Sequence, residues 1–217
     1  MASVIDELSI ANGALAQFGG GEIFAFDEET ELARKVNAVY EARRDSLLAL
    51  HAWQFNRRTY KLDEIAGTAE NGWDATDYWG NGYRHAFQLP GDAIGTPRRV
   101  LTNPRAPHAP LRDYLLEEGR LYADFHPLWA SVGVRADPAA WPASFRLAAM
   151  VLIASDLAIP VAGDARLAEE LRRRGEGPVE LGGRGGLVGV AINQDVSGSP
   201  GPSPIATNDD LTTAHLS

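Results

Sequence analysis

The sequence YEARRDSLLALHAWQF, residues 40–55, decides the fold of this chain. Its leucines continue an apolar stripe that repeats every three or four residues from further upstream, which predicts one long helix over residues 27–50. Trp53 and Phe55 follow directly after that helix. We expect both aromatic rings to fold back onto the helix and to close its hydrophobic face as an aromatic clamp.

A shorter apolar stripe precedes the long helix and predicts a first helix over residues 3–18. Ser3 is a suitable N-cap, because its hydroxyl can accept a hydrogen bond from a free amide of the first turn. The glycines of residues 19–21 are suited to end the helix. Residues 1–66 are therefore expected to form a pair of long helices.

The composition changes at Gly67, where glycines alternate with aromatic residues and turn-forming Asn and Asp. The clearest hairpin has Glu118 and Gly119 at its turn, because glycine tolerates the positive φ that a tight turn requires. Residues 67–136 are predicted to be an inserted β region with a small antiparallel sheet. Its candidate strands are residues 83–89, 98–101, 113–117, 120–124 and 128–134.

Helix returns in residues 137–175, which are expected to close the helical part. Pro142 suits a first helical turn, and an apolar helix follows until Pro160 ends it. Asp164 then caps a last helix over residues 165–174. The predicted fold class is α+β, mainly α: an antiparallel helix bundle with a small inserted antiparallel β-sheet and an extended C-terminal arm.

That arm is predicted over residues 176–217, which are rich in Gly, Ser and Pro and poor in bulky apolar residues. Such a composition does not form a core by itself. It is either a disordered tail or an arm that orders on a neighbouring protein, and we favour the arm. Its expected contact residues are the basic cluster before it and its few apolar side chains: Arg172, Arg173, Arg174, Leu187, Val188, Val190, Ile192, Ile205 and Leu211.

Composition excludes several kinds of site. The chain has no cysteine, which rules out disulfides, cysteine-ligated zinc and a thiol nucleophile. Its five histidines lack metal-binding spacing, and no serine lies in a nucleophile-elbow motif, so no catalytic, metal or cofactor site is expected. The most apolar run, residues 147–154, is shorter than the ~20 residues of a membrane span, so we expect a soluble chain.

Two helical motifs resemble those of podovirus-type head-to-tail adaptors, the tail tubular protein A-like family. The first helix of that family follows a pattern I-x-N-x-A-L-x-x-(L/F)-G, and the second ends Y-x-x-x-R-D-x-L-L-x-x-H-x-W-x-F. The strings YRHAFQLPGD and DYLLEEGRLYAD and the segment 137–145 also resemble the family in outline. The matching residues of the two helical motifs are Ile10, Asn12, Ala14, Leu15, Phe18, Gly19, Tyr40, Arg44, Asp45, Leu47, Leu48, His51, Trp53 and Phe55.

The resemblance implies a structural virion protein rather than an enzyme. Such a protein forms a homo-oligomeric ring, a dodecamer in the family, which docks on the portal protein and joins it to a tail nozzle or tail tube protein. Genome DNA would pass through the lumen without specific binding, which agrees with the net charge of −9. The expected location is the head–tail junction of the virion, and the host cytoplasm during assembly.

An alternative function is a small soluble carbohydrate-active or cell-wall hydrolase. Asp74, Asp77 and Trp79 of the glycine- and aromatic-rich region would then supply the carboxylates and a sugar-stacking ring. The basic residues Arg57, Arg58 and Lys61, after the long helix, are interpreted as a solvated face, with DNA contact in a channel as the other interpretation.

Overall fold

The computed structural model describes residues 5–67, 73 and 78–198. These residues form five α-helices and two small antiparallel sheets, which confirms the predicted α+β class. The helices are α1 (Glu7–Ala16), α2 (Glu31–Leu50), α3 (Ala143–Leu157), α4 (Ala165–Glu176) and α5 (Gly186–Ser197). The strands are β1 (Arg57–Lys61), β2 (Asp63–Ile65), β3 (His85–Gln88), β4 (Ala93–Leu101), β5 (Leu115–Glu117), β6 (Arg120–Ala123) and β7 (Trp129–Val134).

Helix α1 begins at a reciprocal cap. The Asp6 carboxylate accepts a hydrogen bond from the Ser9 amide at 2.8 Å, and the Asp6 amide donates to the Ser9 hydroxyl at 3.0 Å. This capping box satisfies two amides of the first turn, so the helix begins there rather than at residue 3. Ser3, the predicted cap, lies outside the described residues. Gly19, at φ +70°, follows the end of the helix, as the sequence predicted.

Helix α2 is capped by Thr30 and begins at Glu31, later than the start of the predicted range 27–50. The Thr30 hydroxyl accepts a hydrogen bond from the Ala33 amide at 3.1 Å. The helix has 20 residues, so it is about 30 Å long. It ends where His51 turns to an extended conformation, and the chain then enters β1 through the corner that carries Trp53.

Helix α3 is the central helix, and α1, α2, α4 and α5 all pack against it. It continues through a π-helical turn to Ala162, so Pro160 lies inside that turn and Gly163, at φ +70°, ends it. With this extension the segment Ala143–Ala162 has 20 residues and a mean hydropathy of 1.8, long and apolar enough to cross a membrane by length and composition. However, 56% of it is buried inside the protein, the pattern of a core helix.

The two sheets pack their apolar faces together. One has the strand order β1-β7-β4 and the other β2-β3-β6-β5, and all described pairs are antiparallel. Val132 of the first sheet and Phe87 and Leu121 of the second are fully buried in the shared cluster. The predicted hairpin is present between β5 and β6, with Glu118 and Gly119 at φ +50° and +75°.

One boundary of the predicted β region and its number of sheets need correction. Strands β1 and β2 lie within residues 57–65, inside the segment assigned to the long-helix pair, and the strands form two sheets instead of one. The sequence of β1 shows no alternation because four of its five side chains are exposed. It is an edge strand whose structure depends on pairing with β7, a contact that local patterns do not reveal.

The C-terminal prediction is wrong for residues 186–197, which form α5 rather than an extended arm. Val188 and Ala191 are buried in the same core as α3. Small residues allow this packing: a Cβ at Gly186, which has φ +51°, would overlap the carbonyl oxygens of Arg174 and Gly175. Residues 199–217, with Ile205 and Leu211, lie outside the described residues.

Candidate binding groove

Arg98 lies on β4 at the junction between the helices and the first sheet, and its guanidinium is held in a fixed position. Nη1 donates a hydrogen bond to the backbone oxygen of Trp53 at 2.7 Å, and Nη2 donates to Oδ1 of Asn56 at 2.6 Å. Both acceptors are neutral. The side chain is thus anchored without a carboxylate partner among the residues that the structure describes.

The surroundings of Arg98 disfavour its charge. Burial lowers the pKa of Arg98, and the positive charge of Arg57 lowers it further, while Asp195 acts weakly in the opposite direction. A guanidinium nevertheless stays protonated in proteins. Arg98 therefore holds a half-buried positive charge that an anion would stabilise.

Three adjoining depressions share the Arg98 side chain, and together they form what we call the arginine groove. The central one has a volume of about 520 Å³, and Arg57 and Arg99 line it together with the hydroxyls of Thr59 and Ser131. The two neighbouring depressions add basic side chains of the same sign, Arg112 on one side and Arg184 on the other. No Asp or Glu is among the residues that line these three depressions.

This arrangement is suited to binding carboxylates or phosphates. Guanidinium groups bind both kinds of anion with two parallel hydrogen bonds, and hydroxyls can donate a further one. Leu101 and Pro107 give the same cavity an apolar part. The chain as a whole carries a net charge of −9, so the groove is a basic patch on an acidic protein.

Helix α5 is anchored at the edge of the groove. The Asp195 carboxylate accepts a hydrogen bond from the Gln54 amide at 2.9 Å and lies 3.3 Å from Nε2 of His51. Its side chain is only 6% exposed. Arg184, just before α5, donates to the backbone oxygen of Leu50 at 3.3 Å. The C-terminal helix thus holds the corner between α2 and β1.

The aromatic residues after α2 lie in the helical core. Trp53 is 1% exposed, and its Nε1 donates a hydrogen bond to the Leu47 backbone oxygen at 2.9 Å. The Phe145 ring of α3 lies 4.8 Å from the Trp53 ring and 4.9 Å from the Phe55 ring, measured between centroids. The clamp therefore joins the end of α2 to α3.

The residues predicted to contact a portal or a neighbouring subunit lie on α4 and α5 where the structure describes them. Arg172, Arg173 and Arg174 are exposed on α4, and Arg172 lies 3.9 Å from a carboxylate oxygen of Asp156. On α5, Val190 is 49% exposed. Three further α5 residues pack on this chain's own core, Val188 fully and Leu187 and Ile192 in part. Their contact with a partner stays a prediction.

Sequence reasoning missed the arginine groove because its residues are distant in the chain. Arg57 begins β1 and Arg98 and Arg99 lie on β4, and both strands pair with β7 in the same sheet. The available signal was the pair of Arg-Arg dipeptides, at residues 57–58 and 98–99. Each dipeptide alone is typical of a solvated surface.

Within the described part of the chain, no group of three or more His, Asp or Glu side chains is placed to hold a metal ion. Trp79, the proposed sugar-stacking residue, is 2% exposed and packs edge-on against Tyr122, so its ring face is not available on the surface. Asp74 and Asp77 lie outside the described residues. No protein-family model matches this chain, and no curated protein matches it either.

Proposed function

We propose that this chain is a structural virion protein, a head-to-tail adaptor that forms a ring on the portal and connects it to the tail. The observation that carries the proposal is that the residues of its two helical motifs have interlocking structural roles. Polar motif residues that meet in the folded protein fix a particular packing of two helices, which an apolar stripe alone does not require.

Asn12 fixes the connection between the two motif helices. Its side-chain amide donates to the backbone oxygen of Ile23 at 2.9 Å, and its amide oxygen accepts from the Ile23 amide at 3.0 Å. This pair of hydrogen bonds imitates a strand pairing and holds the α1–α2 connector against α1. Asn suits this position because its short side-chain amide carries an N–H donor and a C=O acceptor side by side, as a peptide group does.

Arg44 and Asp45 join both helices to the β region. Arg44 is 2.6 Å from the Glu7 carboxylate of α1, and Asp45 is 2.7 Å from Nη2 of Arg135, just after β7. Tyr40 packs its ring 5.0 Å from Phe26 of the connector. The motif residues thus organise the helices, the connector and the first sheet around α2.

The proposal includes the finer architecture and the partners. The helices would act as an antiparallel bundle with the β region inserted between α2 and α3. The chain would assemble with itself into a dodecameric ring, bind the portal protein and a tail nozzle or tail tube protein, and let genome DNA pass without specific binding. Exposed Arg172, Arg173, Arg174 and Val190 remain candidates for contact with the portal or a neighbouring subunit. The protein would lie at the head–tail junction, after assembly in the host cytoplasm.

Electron cryomicroscopy of virions that contain this chain tests the proposal. We expect a ring of this subunit between the portal and the tail. Particles in which the chain is absent, or purified protein that stays monomeric and degrades a cell-wall polysaccharide, would overturn it and favour the hydrolase alternative.

A further inference from the structure

Phe24 is a prominent exposed aromatic residue on a braced loop. Its side chain is 82% exposed, while the preceding Ile23 is 1% exposed. The two hydrogen bonds between Asn12 and Ile23 hold Ile23, and the Phe24 amide donates to Oε2 of Glu28 at 3.0 Å. The loop backbone is thus fixed on both sides of a ring that contacts little of its own chain. A large exposed apolar side chain on a fixed loop is suited to insertion into a partner.

Carboxylates surround this ring in the sequence. Glu22, Asp27, Glu28 and Glu29 all lie within five residues of Phe24, and we call residues 22–29 the acidic Phe24 loop. No basic side chain of the described residues forms an ion pair with any of these four carboxylates. The loop therefore presents an aromatic ring within unpaired negative charge.

The acidic Phe24 loop and the arginine groove lie at opposite ends of α2. The loop comes directly before the helix, and Ala52, Gln54 and Arg57, which line the groove, come directly after it. The loop folds back along α2, since its Phe26 packs on Tyr40, but about 15 Å of helix still separates Tyr40 from the end of α2 at the groove. The two sites therefore do not meet within one molecule. Two copies can bring them together.

We propose that the acidic Phe24 loop of one copy docks in the arginine groove of a second copy. The Phe24 ring enters the cavity beside Leu101 and Pro107, and the loop carboxylates pair with the unneutralised guanidinium groups of Arg57 and Arg99. Each surface offers what the other lacks: charge of the opposite sign, and an apolar site for an exposed ring. The protein is acidic overall, so a basic groove on it is complementary to the rest of its own surface.

The contact is head-to-tail, because the two surfaces differ. A contact of this kind repeats from copy to copy and closes into a ring where the rotation allows it. The inference names the self-contact of the proposed adaptor ring and in this respect rests on the proposed function. Its test, however, requires only the purified protein.

Disulfide trapping tests the contact directly, since the chain contains no cysteine. Ala25→Cys places a thiol beside Phe24, and Thr59→Cys places one in the groove, with every charged residue retained. We expect a mixture of the two single variants in a glutathione redox buffer to form mixed disulfide dimers several-fold faster than a mixture of Val179→Cys with Thr59→Cys. Val179 is the matched control because it is 90% exposed and lies outside the acidic Phe24 loop, in the turn Val179–Leu181.

Charge reversal then tests the chemistry. Glu29→Arg in the loop variant, or Arg99→Glu in the groove variant, should each slow trapping toward the control rate, and the two reversals together should restore it. Trapping no faster than the control at every concentration up to the solubility limit would overturn the proposal. A different result would also overturn it: a short DNA duplex binds the protein, Arg99→Glu abolishes that binding, and trapping stays at the control rate. The groove would then be a nucleic-acid site.

The outcomes separate this contact from the proposed function. A ring in virions without trapping would overturn the contact and leave the adaptor function standing. Specific trapping of a protein that is absent from virions would support the contact and overturn the adaptor function.

Discussion

Arg43 and Asp156 form a two-point ion pair that joins the middle of α2 to the end of α3. Nε of Arg43 lies 2.6 Å from Oδ2 of Asp156, and Nη2 lies 2.7 Å from Oδ1. The third nitrogen, Nη1, lies 2.9 Å from a carboxylate oxygen of Glu176 at the end of α4. The Arg43 and Asp156 side chains are 18% and 19% exposed. One guanidinium thus connects three helices with little access to water.

Replacement of Asp156 by alanine should therefore destabilise the protein substantially. Arg43 would lose two charge-assisted hydrogen bonds and keep a largely buried charge that Glu176 neutralises only in part. Because the site is not fully buried, we expect a loss of roughly 2–4 kcal/mol, at or below the range for a broken buried pair. Denaturant unfolding followed by circular dichroism measures this loss.

The matched control is Glu31→Ala, which removes the exposed ion pair between Glu31 and Lys35 on the same helix α2. Exposed pairs contribute little because water and salt screen them. We expect the unfolding midpoint of this variant to stay close to that of the parent protein. A midpoint for Asp156→Ala equal to that of Glu31→Ala would show that the three-helix connection does not contribute to stability.

Trp53→Ala should cost about 3–5 kcal/mol, the usual range for removing a large buried aromatic side chain. The variant loses the contact with Phe145 and the hydrogen bond to Leu47. Trp53→Phe is the informative comparison, because it retains an aromatic ring and removes only the indole donor and part of the volume. The melting temperature should be highest for the parent protein, lower for Trp53→Phe and lowest for Trp53→Ala. An unchanged midpoint for Trp53→Ala would contradict the role of the clamp.

The helices were predictable to the extent that their caps and apolar stripes are local. Asp164 caps α4 as predicted, since its side chain accepts from the Leu167 amide at 2.9 Å. Helix α5 was not predictable in the same way, because its buried residues are small and its stability comes from α3 and α4. Composition wrongly predicted an extended arm for these residues. A helix that packs on a preformed core needs few bulky side chains of its own.

The candidate site was less predictable than the fold. The environment of Arg98 depends on Trp53 and Asn56, more than forty positions away, and on the pairing of two edge strands with β7. The carboxylates of the acidic Phe24 loop are visible in the sequence, but acids before a helix predict favourable charges at its N-terminus rather than a binding surface. The exposure of the Phe24 ring appeared only in the structure.

Asp45 should make part of the stability of this protein sensitive to acid. Burial acts to raise its pKa, but hydrogen bonds from Arg135 and Arg44 outweigh this effect, so the pKa of Asp45 is lowered. A lowered pKa in the folded state means that the contribution is present above the unfolded value, about 4, and is lost as the pH falls through the folded pKa. We expect Asp45→Asn to lower the melting temperature at pH 7 and to converge with the parent protein toward pH 3. A difference in melting temperature that stays constant over this range would contradict the argument.

Two truncations should separate the packed C-terminal helix from the residues that follow it. Removal of residues 180–217 deletes α5, including the buried Val188 and the Asp195 contact with Gln54. We expect this truncated protein to unfold at a clearly lower temperature, since it exposes the face of α3 that α5 covers. Removal of residues 199–217 leaves every one of these contacts in place and should change the melting temperature little.

The shorter truncation also tests the role of the C-terminal segment in assembly, a prediction that rests on the proposed adaptor function. Residues 199–217 contain two of the predicted partner contacts, Ile205 and Leu211. Few bulky apolar side chains accompany them, so a partner surface must supply the free energy for any ordering, which costs ~1–2 kcal/mol per residue for the backbone. We therefore expect the protein without residues 199–217 to be folded but to dock poorly on portal-containing heads, as measured by co-sedimentation with the heads. Full docking by this variant would exclude these residues as the portal contact and leave the exposed arginines of α4 and Val190 of α5 as the remaining candidates.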